Sequence, residues 1–388
     1  MNPMRIATAD DVEVVAALRS HAFNVHGASL ERAKAEFDPA MNRVLEDGGR
    51  VRATLRIWAI GHWFGGRVVP SAGIAGVAVA AEARGKGLGS QILVETLAEQ
   101  RAAGIPISSL YPATAYMYRQ AGYGYGGTRH TWTTSLGHLP SARDVDVEPF
   151  DSAAVVSRAY ERFAAANNGL LARDEQWWAE RVLQTWDDSP NYRYLVREAG
   201  EVTGYIVYSL VRQTDDWRSL ISARDFVWLT PGAGRALLSL GSLHRSTASR
   251  MNWIGGATEP LANLLREDRI EDKGAFRWML RLLDVPAAVE ARGYNPLLET
   301  GVTIGVRDRL FADNAGPWRV EVSGGRAKVA PAGRAEAEAD VEAWASIWSG
   351  HLSPADAVRT GVLTAGDDAL RALELIFAGP PPWLGDFF

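Results

Sequence analysis

Apolar and polar positions along the chain fall into two periods. Residues 50–58, Arg50-Val51-Arg52-Ala53-Thr54-Leu55-Arg56-Ile57-Trp58, alternate polar and apolar, the period of a half-buried strand. Phe64-Gly65-Gly66-Arg67 marks a turn. Residues 74–80 are almost continuously apolar, as in a strand covered on both faces. Residues 43–79 therefore read as antiparallel strands. Ahead of them, residues 4–7 read as a short strand. Val12, Val14, Val15 and Leu18 then recur at near-helical spacing behind the capping cluster Thr8-Ala9-Asp10-Asp11. Behind them, Ile92, Leu93, Leu97 and Ala98 predict a helix over 90–103 closed by Gly104. A strand over 105–111 and a helix over 113–120 follow.

A second unit begins near Arg143. Residues 145–150 read as a strand and 153–167 as a helix, and another helix opens at Glu175-Gln176-Trp177-Trp178. Residues 192–197 and 202–209 predict a hairpin around Glu198-Ala199-Gly200. A strand over 222–229, a turn over 230–235 and a helix over 236–244 then repeat the strand, glycine turn and helix of 74–100. The two copies lie about 150 residues apart and mark an internal repeat. A third unit starts near Tyr294. It reads as strands over 298–308 and 318–330, broken at Gly324-Gly325, then helices over 341–348, 353–358 and 369–377. The chain ends in Trp383-Leu384-Gly385-Asp386-Phe387-Phe388, too apolar to rest comfortably in water. The fold class expected is α/β (α+β), with mixed, mostly antiparallel sheets flanked by helices.

Composition narrows the chemistry. A chain of 388 residues, 47% apolar and 22% charged, suits two or three soluble domains. The absence of cysteine removes disulfides, thiolate metal sites and any thiol nucleophile. None of the seven histidines (His21, His26, His62, His130, His138, His244 and His351) has metal-ligand spacing, so no metal is expected. Of these, only His26 is placed where it could line an acceptor pocket. No Gly-x-Ser-x-Gly elbow is present. The start of the chain has no basic segment followed by an apolar core, and no apolar run is long enough to span a membrane. A cytoplasmic protein with no membrane partner is expected. A net charge of −5 with no basic block disfavours a nucleic acid partner and mildly favours a cationic amine.

The chemistry sits at residues 77–100. An apolar strand runs into Arg84-Gly85-Lys86-Gly87-Leu88-Gly89-Ser90 and then a helix. Glycines let backbone approach a ligand, and a helix N-terminus offers free N–H groups and a positive dipole end to phosphate. Arg84 and Lys86 add charge. The spacing is neither a P-loop nor the Gly-x-Gly-x-x-Gly of dinucleotide folds. Arg84-x-x-Gly87-x-Gly89 resembles the acetyl-CoA signature of the GNAT acetyltransferase superfamily. That resemblance implies a backbone grip on the pantetheine arm by Val77, Ala78 and Val79, one of whose N–H groups would polarise the thioester carbonyl. It implies a grip on the pyrophosphate by Arg84, Gly85, Lys86, Gly87, Gly89 and Ser90. The stretch Met117-Tyr118-Arg119-Gln120-Ala121-Gly122-Tyr123-Gly124 resembles the segment carrying the superfamily's proton donor to the thiolate. That role falls to Tyr118, with Tyr116 and Tyr123 as neighbours open to confusion with it.

The whole chain resembles the enhanced intracellular survival (Eis) family. The family implies a catalytic GNAT domain over 1–140, a degenerate GNAT-like domain over 141–290, and a sterol-carrier-protein-like α+β domain over 291–388. Thr230-Pro231-Gly232-Ala233-Gly234 lacks the Arg/Gln-x-x-Gly spacing, so the second copy is expected to bind no coenzyme A. The family also implies that the C-terminal carboxylate, here of Phe388, enters the active site as base. It implies a homo-oligomer, a hexamer, and acceptors such as aminoglycosides, lysines or other small amines. The acids that family members carry near the first helix and before the last residue are sparse here, with Asn24 and His26 in the first region and Asp386 in the second. The competing reading is an acyl-CoA or lipid sensor without turnover.

Overall fold

The computed structural model describes residues 4–388 apart from 142–145, 186–188, 215, 266 and 268. The expected start of the second unit, Arg143, and Val145 lie outside the described residues; the strand expected over 145–150 is found at Glu148–Pro149.

One 13-stranded sheet runs through the first two units. It begins Arg5–Ile6, Asn42–Asp47, Arg50–Phe64, Arg67–Val79, Ile107–Leu110. The next strand in space is Glu271–Leu282, followed by Gly124–Ser135. The sheet continues through Ala248–Gly255, Ser219–Trp228, Glu201–Val211 and Tyr192–Glu198 to Glu148–Pro149. Leu171–Ala172 adds a short edge to Arg50–Phe64. The two units thus exchange strands: Glu271–Leu282 pairs with Ile107–Leu110 of the first, and Gly124–Ser135 pairs with Ala248–Gly255 of the second. Most pairings are antiparallel. Each unit has one parallel pair, Arg67–Val79 with Ile107–Leu110 and Ser219–Trp228 with Ala248–Gly255.

Sequence reasoning has no strand at 124–135, 248–255 or 271–282. Gly124–Ser135 is rich in glycine and threonine, and Glu271–Leu282 begins with a charged stretch, so neither shows clean alternation. The turn expected over 230–235 is instead the start of the helix Pro231–Leu243, with Thr230 as N-cap and proline in the first turn, where its missing N–H costs nothing.

The third unit is a five-stranded sheet, Arg326–Pro331, Gly316–Ser323, Thr300–Arg307, Ala337–Asp340, Leu363–Ala365, with three helices. Its helix Val341–Ser349 carries the buried Trp344 and Trp348 and packs on the exchanged strands. Gly124 has no room for a side chain there, because a Cβ would strike the Glu342 carbonyl. A buried ion pair, Arg281 to Asp308 at 2.6 Å, ties Glu271–Leu282 to this unit.

Candidate active site

Strand Arg67–Val79 pairs with Ile107–Leu110 only from Ser71 to Gly73. Beyond Gly73 the two strands part, and residues 74–79 keep one free edge. A bulge sits in that stretch, because Thr54 faces Ala78 while Arg56 faces Ala75. Gly76 adopts φ +57 within it, and a Cβ there would stand 2.8 Å from Arg19 Nε. Ala80 N–H donates to Arg52 C=O at 2.8 Å. Strand alternation therefore turns the N–H groups of Val77 and Val79 toward the free edge, and that of Ala78 toward the neighbouring strand.

This strand runs into the glycine turn. Gly85 and Gly87 have φ +78 and +82, and neither would be crowded by a Cβ, so conformation rather than space demands glycine. Helix Leu88–Ala102 follows, with Gly87 as an N-cap that has no side chain and no acid in its first turn. Its first backbone bond is Gln91 N–H to Gly87 C=O. The N–H groups before it stay open, with the exposed Arg84 and Lys86 at the mouth. The second copy differs at this point. Thr230 Oγ1 accepts from Ala233 N–H at 3.0 Å, and its hydroxyl donates to Glu198 at 2.7 Å. The Glu198 carboxylate lies where a Cβ of Gly232 would stand. That helix start is closed by the protein's own groups.

Tyr118 lies on the helix Ala115–Gln120, beside the glycine turn. Its neighbour Met117 lies 3.4 Å from a Cβ built on Gly89. Tyr118 is 6% exposed, and its hydroxyl has no hydrogen-bond partner among the described residues. Burial pushes its pKa up to about 12. The phenol is thus a firm proton holder, and full transfer to a thiolate is harder than the free value near 10 implies. The other two tyrosines have different settings. Tyr116 is 74% exposed. Tyr123 is fully buried, stacks edge-on against Tyr118, and bonds Ser108 Oγ at 2.7 Å.

The terminal segment reaches the same place. Thr128 N–H donates to Pro382 C=O, Leu384 N–H to Thr128 C=O, and Trp383 N–H to Asn168 C=O. Gly127 allows this approach, because a Cβ there would clash with the Pro382 carbonyl. Tyr111 Oη lies 3.1 Å from the carbonyls of both Leu384 and Asp386. The Asp386 carboxylate accepts from Trp177 Nε1 at 2.9 Å and pairs with Arg173. It is therefore bound to the protein itself rather than open to a cationic acceptor. Phe388 lies against the sheet where the strands part: its Cε2 is 3.0 Å, and Trp58 Cβ 3.2 Å, from a Cβ built on Gly73. Trp58, Trp177, Tyr111 and Phe387 complete an aromatic wall around it.

Two arginines lie on this wall. Arg56 lies 3.8 Å over the Trp58 ring and Arg181 4.7 Å over it. Burial, then the like charge of Arg181, lowers the Arg56 pKa to about 10; burial, then Arg56, does the same to Arg19. His26 is exposed and bonds Asn24 Oδ1 at 2.8 Å. Among the described residues no cluster of His, Asp and Glu side chains is arranged to hold a metal ion. Sequence reasoning missed Tyr111, Arg56, Trp58, Arg129 and Arg173. The only local signal was the Gly126-Gly127 pair, which marks where a second backbone comes close.

Comparison with known proteins gives a consistent pattern. Residues 3–126 match an acetyltransferase (GNAT) domain model, 169–282 a second acetyltransferase (GNAT) domain model, and 285–385 a sterol carrier protein domain model. The chain is 30% identical to an uncharacterized N-acetyltransferase of Streptomyces griseus, over 93% of this chain and 90% of that one. It is 26% identical to the N-acetyltransferase Eis of Mycobacterium tuberculosis, over 81% and 80%. The crystal structure of a GCN5-related N-acetyltransferase from Anabaena variabilis superposes with TM-score 0.95 at 30% identity, covering 99% of each chain.

Proposed function

The chain belongs to the Eis-like family of GNAT N-acetyltransferases, and from that premise we propose that it transfers the acetyl group of acetyl-CoA to a primary amine by direct attack on the thioester. The observation that carries this reading is the free edge at Val77 and Val79, flanked on one side by an open helix N-terminus and on the other by Phe388.

Val77, Ala78 and Val79 hold the pantetheine arm of the substrate as an added strand. Arg84, Gly85, Lys86, Gly87, Gly89 and Ser90 hold the pyrophosphate. An N–H of Val77 or Val79 faces the thioester oxygen as negative charge grows on it. The acceptor enters from the opposite face, past Trp58 and Trp177. An ammonium ion must lose a proton before it can attack. The Phe388 carboxylate takes that proton through water, since an α-carboxyl near pKa 3.3–3.7 does not keep it at neutral pH. As the C–S bond breaks, the Tyr118 hydroxyl donates to the departing thiolate. Two protons leave the nitrogen in all; one ends on the thiol and one in solvent.

The domain roles follow. Residues 1–140 carry the chemistry, and 141–290, with their helix start closed by Thr230 and Glu198, bind no coenzyme A. Residues 291–388 deliver the tail. No helix among the described residues is long and apolar enough to cross a membrane, and we place the enzyme in the cytoplasm as a homo-oligomer, a hexamer on the family pattern. Acceptors on that pattern are aminoglycosides, lysine and other small amines. The test is thiol release from acetyl-CoA across such amines, for the full chain and for one lacking Phe388. Release lost on truncation supports both transfer and the terminal base. Release that survives truncation removes the base. Coenzyme A binding with no release from any amine overturns the transfer reading in favour of a sensor.

A further inference from the structure

We propose that the acceptor carries an oxyanion as well as its amine, and that Arg56 and Arg129 receive that oxyanion. The inference rests on the acetyl-transfer reading and narrows its acceptor.

Three arginines of this face, Arg19, Arg56 and Arg129, have no carboxylate at ion-pair distance among the described residues. Arg19 is the least accessible. It donates to Asn42 Oδ1 at 2.6 Å and lies against the Gly76 carbonyl, so it is hydrogen-bonded but has no counter-ion. Its charge adds to the field on the acceptor side. Arg56 is the better ligand. Its Nε is buried with no hydrogen-bond partner among the described residues, and Nη2 makes only a weak bond, to Met41 Sδ at 3.5 Å. The carboxylates of Glu36, Glu180 and Asp38 oppose its pKa depression from a distance without pairing with it. A half-buried guanidinium with a vacant, buried N–H and no carboxylate at ion-pair distance can take up an anion.

Arg129 meets the same face from the far side of the tail. Its Nε donates to Gly385 C=O at 3.2 Å. It lines a cavity of about 380 Å³ together with Arg173, Asp225, Asp386 and Phe387. Both aspartates of that cavity are bound to Arg173, and neither lies at ion-pair distance from Arg129. Arg181 and Arg224 also line the cavity, each with partners of its own. Arg181 does fix the geometry, because it both lines the cavity and lies over Trp58, the residue under Arg56. The cavity therefore adjoins the Trp58 and Phe388 wall where the amine must arrive. A small amine with a carboxylate or phosphonate meets opposite charge here. A polycation brings its extra charges against guanidinium groups that no carboxylate pairs with directly.

The test uses the full chain and matched acceptors: phenethylamine, phenylalanine, its amide, and the corresponding aminophosphonate. The oxyanion-bearing pair should exceed amine and amide by at least tenfold in kcat/KM. Arg56→Gln and Arg129→Gln should each lower kcat/KM for the oxyanion acceptors by at least tenfold more than for phenethylamine. The effect should lie in the acceptor KM, with the KM for acetyl-CoA within threefold of wild type. Arg371→Gln, on an exposed helix of the third unit, is the control expected to change nothing. A preference for uncharged or polycationic amines, or equal losses on all acceptors, overturns the proposal. A second readout separates it from the transfer reading: calorimetric binding of N-acetylphenylalanine to the coenzyme-A-loaded protein. Binding that needs Arg56, with no turnover of any amine, keeps the anion subsite and discards the transferase. Binding indifferent to Arg56 and Arg129 discards the subsite whatever the turnover.

Discussion

Asp386 and Arg173 form a buried ion pair, 3.1 Å from Oδ1 to Nη2, with side chains only 6% and 4% exposed. Arg173 also pairs with Asp225 at 2.7 Å, and Tyr205 Oη donates to that aspartate at 2.6 Å. Burial alone would lower the Arg173 pKa, but the two carboxylates outweigh it and hold the guanidinium firmly charged. The network fixes the backbone two residues before Phe388. Arg173→Met leaves two buried carboxylates without their cation and should cost about 3–5 kcal/mol, read as a drop in Tm. Asp386→Asn keeps neutral hydrogen bonds to Trp177 and should cost about 1–2 kcal/mol. That milder variant should lower kcat at least tenfold while binding acetyl-CoA normally, because only the tail is loosened. Equal kcat in wild type and Asp386→Asn would show that the tail is positioned by other contacts.

Tyr118→Phe separates chemistry from folding. The hydroxyl has no hydrogen-bond partner among the described residues, so its removal should change stability by less than about 0.5 kcal/mol. Proton donation in such sites contributes about 10²–10⁴ in rate, and the loss should appear in kcat rather than in acetyl-CoA affinity. With its pKa raised to about 12, the phenol stays protonated across the neutral range. The pH–rate profile should therefore show no descending limb from Tyr118 below about pH 11. A variant with wild-type kcat would remove Tyr118 from the mechanism.

The open helix start offers a test in which two measurements move in opposite directions. Ser90→Asp places a carboxylate in the first turn of Leu88–Ala102, as Glu198 does for the second copy. The added charge should stabilise the helix by about 0.3–1 kcal/mol. It should also raise the Kd for acetyl-CoA at least tenfold by repelling pyrophosphate. Unchanged affinity, measured by calorimetry, would move the pyrophosphate away from this turn.

His62 supplies the acid side of the stability profile. It is fully buried, bonds Gly169 C=O at 2.7 Å and Ser109 Oγ at 2.8 Å, and stacks on Trp278. Burial lowers its pKa to about 4, with the Gly169 bond partly opposing the shift. The unfolded chain takes up a proton near pH 6.5 that the folded chain refuses. Stability is therefore full above about pH 6.5 and falls as the pH drops toward 4, by about 3 kcal/mol at 1.36 kcal/mol per pH unit. Denaturant midpoints between pH 7 and 4 should follow that slope, and His62→Gln should flatten it.

Local pattern carried much of this molecule. The alternation at 50–58, the apolar run before Arg84 and the three glycines after it were all legible, because strand period and positive-φ demand are written in neighbouring residues. The resemblance pointed to Tyr118 among three tyrosines, but the burial and the Ser108 bond that set Tyr116 and Tyr123 apart from it are tertiary. Arg56 read simply as the polar member of an alternating strand. Its place over Trp58 beside Arg181, more than a hundred residues away, is tertiary. Asp386 read only as an acid near the chain end where acids are otherwise sparse, and its capture by Arg173 has no sequence signal at all. Trp177 and Trp178 read as the opening of a helix, and the indole bond from Trp177 to Asp386 was hidden.

The exchange of Gly124–Ser135 and Glu271–Leu282 bears on how the protein is made. As the ribosome extends the chain, Ile107–Leu110 and Gly124–Ser135 emerge well before the strand that lies between them. The first unit must wait, with two bare edges, until residue 282 has left the exit tunnel. A second copy whose helix start is closed by its own Thr230 and Glu198 thus stays indispensable as the missing plank of its sibling. Shedding it would leave the working copy open to pairing with other chains.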